Sequence, residues 1–450
     1  MNNLSVMALA AIAIYVMRRW SIETAILNVY LPVMMLVPSF YGMRLPHLPG
    51  IDCQGIALLP IVLGMLFTKV RGWRWRASDL LVFLFALEAG YSEYINTNLG
   101  NGIFDFVGHV EIMLLPYLLG RIMLEQPGFR EKFVRRFVLL AFIVAAISPF
   151  EFVTGKNAFY IVGRRFFTES YIWSNQVRYG FVRIKGPYAG SIHAGITFMM
   201  AMMVELWLRM IDRHRISAPE PKRLRLRRST WILAALAMGS VMTFSRGPWI
   251  GLAIGLIVAI VGRSKNLFRS AVIAVVLCGI AGVIIQAKAK EYLDSDTNMT
   301  DAKQSAQYRK AAFLLYEPIA EKGGYFGWGI STFPKVKGMD SIDNEYLLLR
   351  VSQGKVGYWL FLLMFADAGI GSLLAISRSR FRPDTFLYFC LAGIVAGVAV
   401  TLGTVYITGQ STCLLFIIYG WIQSLQRTPE PYDYMEPAEA PRFAFKRVFA

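Results

Sequence analysis

The sequence contains little of what metal centres, disulfide frameworks and soluble domains require. It has four cysteines and four histidines in 450 residues. Because no paired Cys or Cys/His spacing joins them, we predict neither a metal site nor a disulfide framework. The glycine-rich motifs of nucleotide-binding proteins are also missing, so we expect no cofactor. Charged residues make up only 17% of the chain, which is low for a soluble domain.

The chain is instead strongly apolar, with 56% hydrophobic residues and a mean hydropathy of +0.47. Windows of about 17–25 apolar residues recur, and each is long enough to cross a bilayer as a helix. We therefore predict an all-α polytopic membrane protein with about 12–13 transmembrane helices, twelve if the first two stretches form one irregular element. The predicted spans are 3–17, 21–41, 54–68, 79–95, 103–122, 134–153, 192–211, 230–244, 248–262, 270–287, 354–376, 385–407 and 410–425.

The distribution of basic residues predicts the orientation of these spans. A net charge of +18 at first suggests a nucleic-acid partner. Most of the Lys and Arg residues, however, lie in short connections that fall on one side of the membrane, including residues 213–228. The positive-inside rule explains this bias and makes that side cytoplasmic. We therefore predict no nucleic-acid partner, and a lipid bilayer as the surroundings.

The same pattern divides the chain into regions. Residues 1–287 form a transmembrane region with an external segment near 154–191. A polar excursion at 288–344 is too polar for lipid and too patterned for a plain linker, so we predict a large external loop that caps the protein. Residues 345–425 re-enter the membrane and form the final spans. The tail, 426–450, is rich in Pro and Glu and is predicted to be disordered in the cytoplasm.

Basic residues on the external side oppose the orientation bias and therefore need another explanation. Arginine offers a planar fork that suits phosphate oxygens. A helix that opens at Gly247-Pro248 would also present an anion-attracting N-terminus. Together these features predict a site for a pyrophosphate-lipid headgroup, although each stretch alone is equally consistent with a structural ion pair. The three stretches contain Arg178, Arg183 and Lys185, then Ser245 and Arg246, then Tyr308 and Arg309.

Three residues are candidates for a general base. His193 lies at the mouth of a span and titrates near neutrality, but it is equally typical of a hydrogen-bonded core histidine. Asp343 and Glu345 lie where the large loop re-enters the membrane, where a carboxylate could accept a proton from a sugar hydroxyl. Asp343 is also placed to cap a helix beginning near Asn344. Tyr308 and Trp328 could stack on sugar rings or simply pack within the loop.

Three motifs together resemble the O-antigen ligase and polymerase family over roughly residues 160–376. They are the Ser245-Arg246-Gly247-Pro248-Trp249 break, Arg309 upstream of a Gly-Trp-Gly turn, and the run DNEYLLLRVSQGKVGYWLFLL. The resemblance implies a multi-pass, GT-C-like glycosyltransferase of the bacterial inner membrane that is metal-independent and inverting. Its donor would be an undecaprenyl-pyrophosphate-linked oligosaccharide, its acceptor a sugar hydroxyl, and its active site would face the periplasm. Arg183, Arg246 and Arg309 would then bind the pyrophosphate or stabilise the transition state.

The chain departs from the ligases at one position, because Asp343-Asn344 stands where they carry a histidine. This favours a polymerase of O-antigen, capsule or exopolysaccharide repeat units, with a chain-length regulator protein as a candidate partner. An O-antigen ligase acting on lipid A-core or protein is the alternative. The predicted catalytic residues are Asp343, Arg246, Arg309 and His193; the predicted substrate-binding residues are Arg178, Arg183, Lys185, Ser245, Asn344, Glu345, Tyr308 and Trp328.

A transporter or flippase for a lipid-linked sugar is the alternative from another class of protein. It would bind the same headgroup without chemistry, and it should carry polar residues along a path through several spans. Charge deep within the predicted spans is sparse, with Glu88, Glu111, Glu205 and Asp367 as the examples that stand out. Polar residues concentrate outside the spans, which favours an enzyme.

Overall fold

The computed structural model describes residues 2–43, 49–68, 75–126, 128–167, 174–214, 221–294, 301–339, 341–378 and 385–425. The helices are α1 (Asn2–Arg19), α2 (Ile22–Ala25), α3 (Leu31–Leu36), α4 (Cys53–Thr68), α5 (Ala77–Asn96), α6 (Leu99–His109), α7 (Leu115–Met123), α8 (Phe129–Thr154), α9 (Ala158–Gly163), α10 (Ser191–His214), α11 (Lys222–Met242), α12 (Arg246–Gly262), α13 (Leu267–Asp294), α14 (Asp301–Lys322), α15 (Glu345–Ser352), α16 (Gly354–Arg378), α17 (Thr385–Leu402) and α18 (Gln410–Leu425). Two π-helical turns, Ile26–Tyr30 and Val110–Leu114, join α2 to α3 and α6 to α7.

Strands are short in the described part of the chain. β1 (Gly42–Met43) pairs antiparallel with β2 (Ile51–Asp52), and β3 (Val177–Arg178) pairs antiparallel with β4 (Phe181–Val182). Each predicted apolar span falls on a helix, and five helical segments are long and apolar enough to cross a membrane. The prediction of an all-α polytopic membrane protein is therefore confirmed. Four further apolar helices are shorter, so the number of spans remains a prediction.

Helices α10, α12 and α17 form the central bundle. Gly251 and Gly255 of α12 lie against Gly397 and Gly393 of α17, and a Cβ at Gly251 would lie 2.5 Å from the Gly397 carbonyl oxygen. Small residues at such an interface let two helix backbones approach closely. Helix α10 packs on both. Because α10 and α12 run antiparallel to α17, the first residues of α10 and α12 meet the last residues of α17 at one end of the bundle.

The predicted span 385–407 is shorter in the structure, where α17 ends at Leu402. Residues 403–409 leave the helix and form a connecting segment before α18. This segment matters because its carbonyl groups are no longer taken up by helical hydrogen bonds. It passes directly over the end of the bundle where α10 and α12 begin.

The polar excursion is a folded cap over this end of the bundle. Helix α14 has a small hydrophobic core of its own, in which Tyr316 packs with Leu347 and Val351 of α15. A glycine-rich turn follows α14, and Gly327 is required there because a Cβ would lie 2.3 Å from the Ser352 carbonyl oxygen. Ser92 of α5 contacts the turn at the Phe326 carbonyl group and the end of α15 at the Ser352 carbonyl group, the latter at 2.7 Å. The predicted disordered tail, 426–450, lies outside the described residues.

Candidate active site

Arg183 lies in the segment between β4 and α10 and is held by three hydrogen bonds. Its Nε donates to the Thr243 carbonyl at 3.0 Å, Nη1 to the Gln176 side chain at 3.0 Å, and Nη2 to Ser245 Oγ at 2.9 Å. The side chain is buried, with 8% exposed. Arg183 therefore fixes the β3–β4 hairpin to the break between α11 and α12, two of the stretches that the sequence singled out.

Arg178 and Arg246 tie the same two segments together. Arg178 Nη1 donates to the Phe244 carbonyl at 2.7 Å, and Arg246 Nη2 donates to the Tyr179 hydroxyl at 3.0 Å. Phe244 and Tyr179 both have positive φ, 47° and 55°, which is unfavourable for side chains with a Cβ. Backbone strain of this kind persists where surrounding contacts impose it, and it concentrates at functional sites.

Arg309 reaches the site from the cap. It lies on α14, and its Nη2 donates to the Thr404 carbonyl of the segment after α17 at 3.3 Å. Thr404 also touches the start of α12, since a Cβ at Gly247 would lie 2.3 Å from Thr404 Oγ1. The Nε of Arg309 is buried and has no hydrogen-bond partner in the described part of the chain. A buried guanidinium donor without a partner is costly, so this atom favours an anionic ligand.

These four residues, Arg178, Arg183, Arg246 and Arg309, form what we call the arginine cluster. Burial, together with the charges of Arg178 and Arg309, lowers the pKa of Arg183 to about 10, and the Asp343 carboxylate opposes this shift. Burial also lowers the pKa of Arg309; Asp343 opposes that shift, whereas Arg178 and Arg246 add to it. The cluster is therefore repulsive in itself, with Asp343 as a nearby counter-charge. Bringing such cations together is unfavourable unless an anion binds between them.

Asp343 is positioned by the helix that carries Arg309. Tyr308 Oη donates to the Ser341 carbonyl at 2.9 Å and accepts from the Ser341 N–H at 3.1 Å. Ser341 Oγ in turn donates to Asp343 Oδ1 at 2.7 Å. Tyr308 thus has a positioning role within the cap. Its predicted contact with sugar stays a prediction.

The N-cap residue of α15 is not Asp343, so the prediction that Asp343 caps this helix was wrong. Helix α15 begins at Glu345, and the residue before it, Asn344, accepts a hydrogen bond from the Leu347 N–H at 3.2 Å. Asparagine is as good an N-cap as aspartate, so Asn344 caps the helix one residue later in the chain than expected. Asp343 is consequently not committed to the helix and its carboxylate remains beside the arginines.

Glu345 and His193 make other contacts. Glu345 is buried, and its Oε2 accepts from the Ile407 N–H at 2.8 Å, which anchors the segment that presents the Thr404 carbonyl. His193 Nε2 lies 3.0 Å from the Tyr406 carbonyl oxygen, so Nε2 must carry the hydrogen. Both residues hold the 403–409 segment in place. The sequence did not predict this role for either of them.

Lys185 and Trp328 are likewise engaged with the protein. The Lys185 ammonium donates to the Ser174 carbonyl, and burial lowers its pKa while the charge of Glu151 opposes the shift. Glu151, which the sequence analysis missed, accepts hydrogen bonds from the Lys185 and Gly186 N–H groups at 3.1 and 2.9 Å. Trp328 Nε1 donates to the Ile319 carbonyl at 2.9 Å within the cap. Its side chain is therefore held within the cap, and its predicted contact with sugar stays a prediction.

A cavity of about 480 Å³ adjoins these residues. Lys185 lines it from the segment that carries Arg183, and Tyr406 lines it from the segment that carries Thr404. Three carboxylates face it from other elements, Asp52, Asp105 and Glu111. Carboxylates are strong acceptors for hydroxyl groups and aromatic rings suit pyranose faces, so the lining is compatible with a sugar. In the described part of the chain, no group of three or more His, Cys, Asp or Glu residues could hold a metal ion.

The fold and the site together define a class of protein: a polytopic α-helical membrane protein with a polycationic site beneath a folded polar cap. Residues 231–362 match the family model described as O-Antigen ligase, which confirms the resemblance over this part of the chain. The match covers Arg246, Arg309 and Asp343 but begins after Arg178 and Arg183. Members of the family are glycosyltransferase-like enzymes of the ligase or polymerase type. The curated proteins contain no match to this chain.

Proposed function

We propose that the protein is a polysaccharide polymerase that transfers a glycan from undecaprenyl pyrophosphate to a sugar hydroxyl on the periplasmic side of the bacterial inner membrane. The observation that carries the proposal is the convergence of the arginine cluster on Asp343, with one buried guanidinium donor unsatisfied. A donor with a pyrophosphate leaving group fits that arrangement, because its negative charge would replace the repulsion between the arginines with attraction.

The reaction is a single inverting displacement. The acceptor oxygen attacks the anomeric carbon, and the bond from that carbon to the pyrophosphate oxygen breaks with its electron pair left on the pyrophosphate. Charge therefore grows on the leaving group, and Arg183, Arg246 and Arg309 stabilise it as preorganised donors. The acceptor proton passes to the Asp343 carboxylate late in the attack. The polyprenyl pyrophosphate then leaves along the apolar helices.

The acceptor sugar occupies the 480 Å³ cavity beside the cluster. Its other hydroxyls would bond to Asp52, Asp105 and Glu111, while the attacking hydroxyl would reach the donor between the segments that carry Lys185 and Tyr406. This placement is supported by the two chain segments that the cavity shares with the arginine cluster. Lys185 follows Arg183 by two residues, and Tyr406 follows Thr404 by two. An acceptor with many hydroxyls suits this lining better than a simple lipid.

A ligase is the second candidate, favoured by the description of the family model. Purified protein supplied with a lipid-linked repeat unit distinguishes the two. A polymerase gives a ladder of products that grow by whole repeat units, whereas a ligase gives a single transfer, and only with its own acceptor. Movement of the lipid-linked sugar across a vesicle bilayer without any new glycosidic bond would overturn both and indicate a flippase.

A further inference from the structure

The end of the central bundle opposite the arginine cluster contains a second cavity, of about 220 Å³. Three arginines line it, Arg209 and Arg213 of α10 and Arg263 just after α12. The remaining walls are apolar, and Ile260 among them is 67% exposed. A cavity that joins several cations to an uncovered apolar wall is amphipathic.

Helix geometry places this cavity at the other membrane surface. Helix α12 runs from Arg246, in the arginine cluster, to Gly262, next to Arg263, over 17 residues. At 1.5 Å per residue this is about 25 Å, close to the hydrocarbon thickness of a bilayer of about 30 Å. Helix α10 makes the same passage from Ser191 to His214. The three arginines therefore lie at headgroup level on the side predicted to be cytoplasmic.

Among the described residues, these arginines make their contacts with uncharged groups. Arg209 Nη1 donates to Thr230 Oγ1 at 2.9 Å, and the Arg263 guanidinium lies 5.7 Å from the centroid of the Phe386 ring. Among the described residues none of the three forms an ion pair with a carboxylate. Asp212, which lies between two of them in sequence, pairs with Arg135 at 2.6 Å instead.

We propose that this cavity binds an anionic phospholipid of the inner leaflet. The lipid phosphate accepts hydrogen bonds from the three guanidinium groups, which suit phosphate oxygens. Its acyl chains lie along Leu256, Ile260 and Phe386. A soluble phosphate would leave this apolar wall uncovered, so the apolar part of the site favours a lipid. The proposal does not depend on the glycan-transfer function.

The test is a lipid titration of the full-length protein in detergent, followed by native mass spectrometry. Phosphatidylglycerol, phosphatidylcholine with identical acyl chains, and inorganic phosphate are the probes. The cavity variant combines Arg209→Gln, Arg213→Gln and Arg263→Gln. A matched variant with the same change of charge replaces basic residues that are exposed and outside the cavity: Arg223→Gln, Lys265→Gln and Arg269→Gln.

We expect phosphatidylglycerol to bind in preference to phosphatidylcholine. Each arginine at a membrane surface is worth about a fivefold change in lipid affinity, so the cavity variant should bind phosphatidylglycerol on the order of a hundredfold more weakly. The matched variant should keep most of the affinity. Equal binding of the two lipids, or equal loss in both variants, would overturn the proposal. Displacement of the lipid by an equal concentration of inorganic phosphate would do so too, because it would show an anion site without a lipid component.

Discussion

Arg309 offers the sharpest test of the arginine cluster. Replacing it with Ala removes a guanidinium of the arginine cluster whose buried Nε has no hydrogen-bond partner among the described residues and whose Nη2 donates to the Thr404 carbonyl at 3.3 Å. If that group stabilises the leaving pyrophosphate, turnover should fall by about two to three orders of magnitude, or roughly 3–4 kcal/mol in the activation free energy. Lys at this position keeps the charge but loses the planar fork, so we expect it to recover only a small part.

The structure also predicts an effect on stability in the opposite direction. Burial and the charges of Arg178 and Arg246 disfavour the charged form of Arg309, and the Asp343 carboxylate and one long hydrogen bond to the Thr404 carbonyl support it. Removing the guanidinium should therefore leave the melting temperature of the ligand-free protein unchanged or raised. Loss of activity without loss of stability is typical of a functional group held in an unfavourable setting.

The assay uses protein in lipid nanodiscs with a synthetic lipid-pyrophosphate repeat unit, and it measures single-turnover rates. Lys310→Ala is the matched control, since Lys310 neighbours Arg309 on α14 but is exposed. It should turn over at the wild-type rate. Wild-type turnover by a folded Arg309→Ala protein would refute the assigned role. A fall of equal size in both variants would point to a general effect of charge on the cap.

Three further predictions follow from the same geometry. Asp343→Asn should lower turnover by about 10²–10⁴-fold with little change in melting temperature, because the amide cannot accept the proton; near-normal product would remove Asp343 as the base. Asn344→Ala should cost about 0.5–2 kcal/mol of stability, measured by thermal unfolding, whereas Asp343→Ala should not, since Asn344 is the cap. In intact cells an impermeant thiol reagent should label Ser331→Cys but not Lys222→Cys, and the reverse would invert the topology.

The sequence alone determined the membrane class, the helices and the residue types of the site. Long apolar stretches can satisfy their backbone hydrogen bonds in lipid only as helices, so composition already decided the architecture. Arg246 and Arg309 were identifiable because basic residues outside the basic side of a membrane protein are uncommon. The Asp343-Asn344 pair was also visible in the sequence. The sequence could not show which of the two residues is the N-cap of α15, because both residue types are good N-caps.

Only the tertiary structure decided which of these residues meet. Arg183 and Arg309 are far apart in the sequence, and their proximity depends on α12 packing against α17 through facing glycines and on the cap folding over both. Glu151 and Glu345 gave no sequence signal for their roles, because each acts by accepting backbone N–H groups from a distant segment. Contacts of this kind depend on the path of the chain in three dimensions, whereas hydropathy and charge patterns report only on neighbours in sequence.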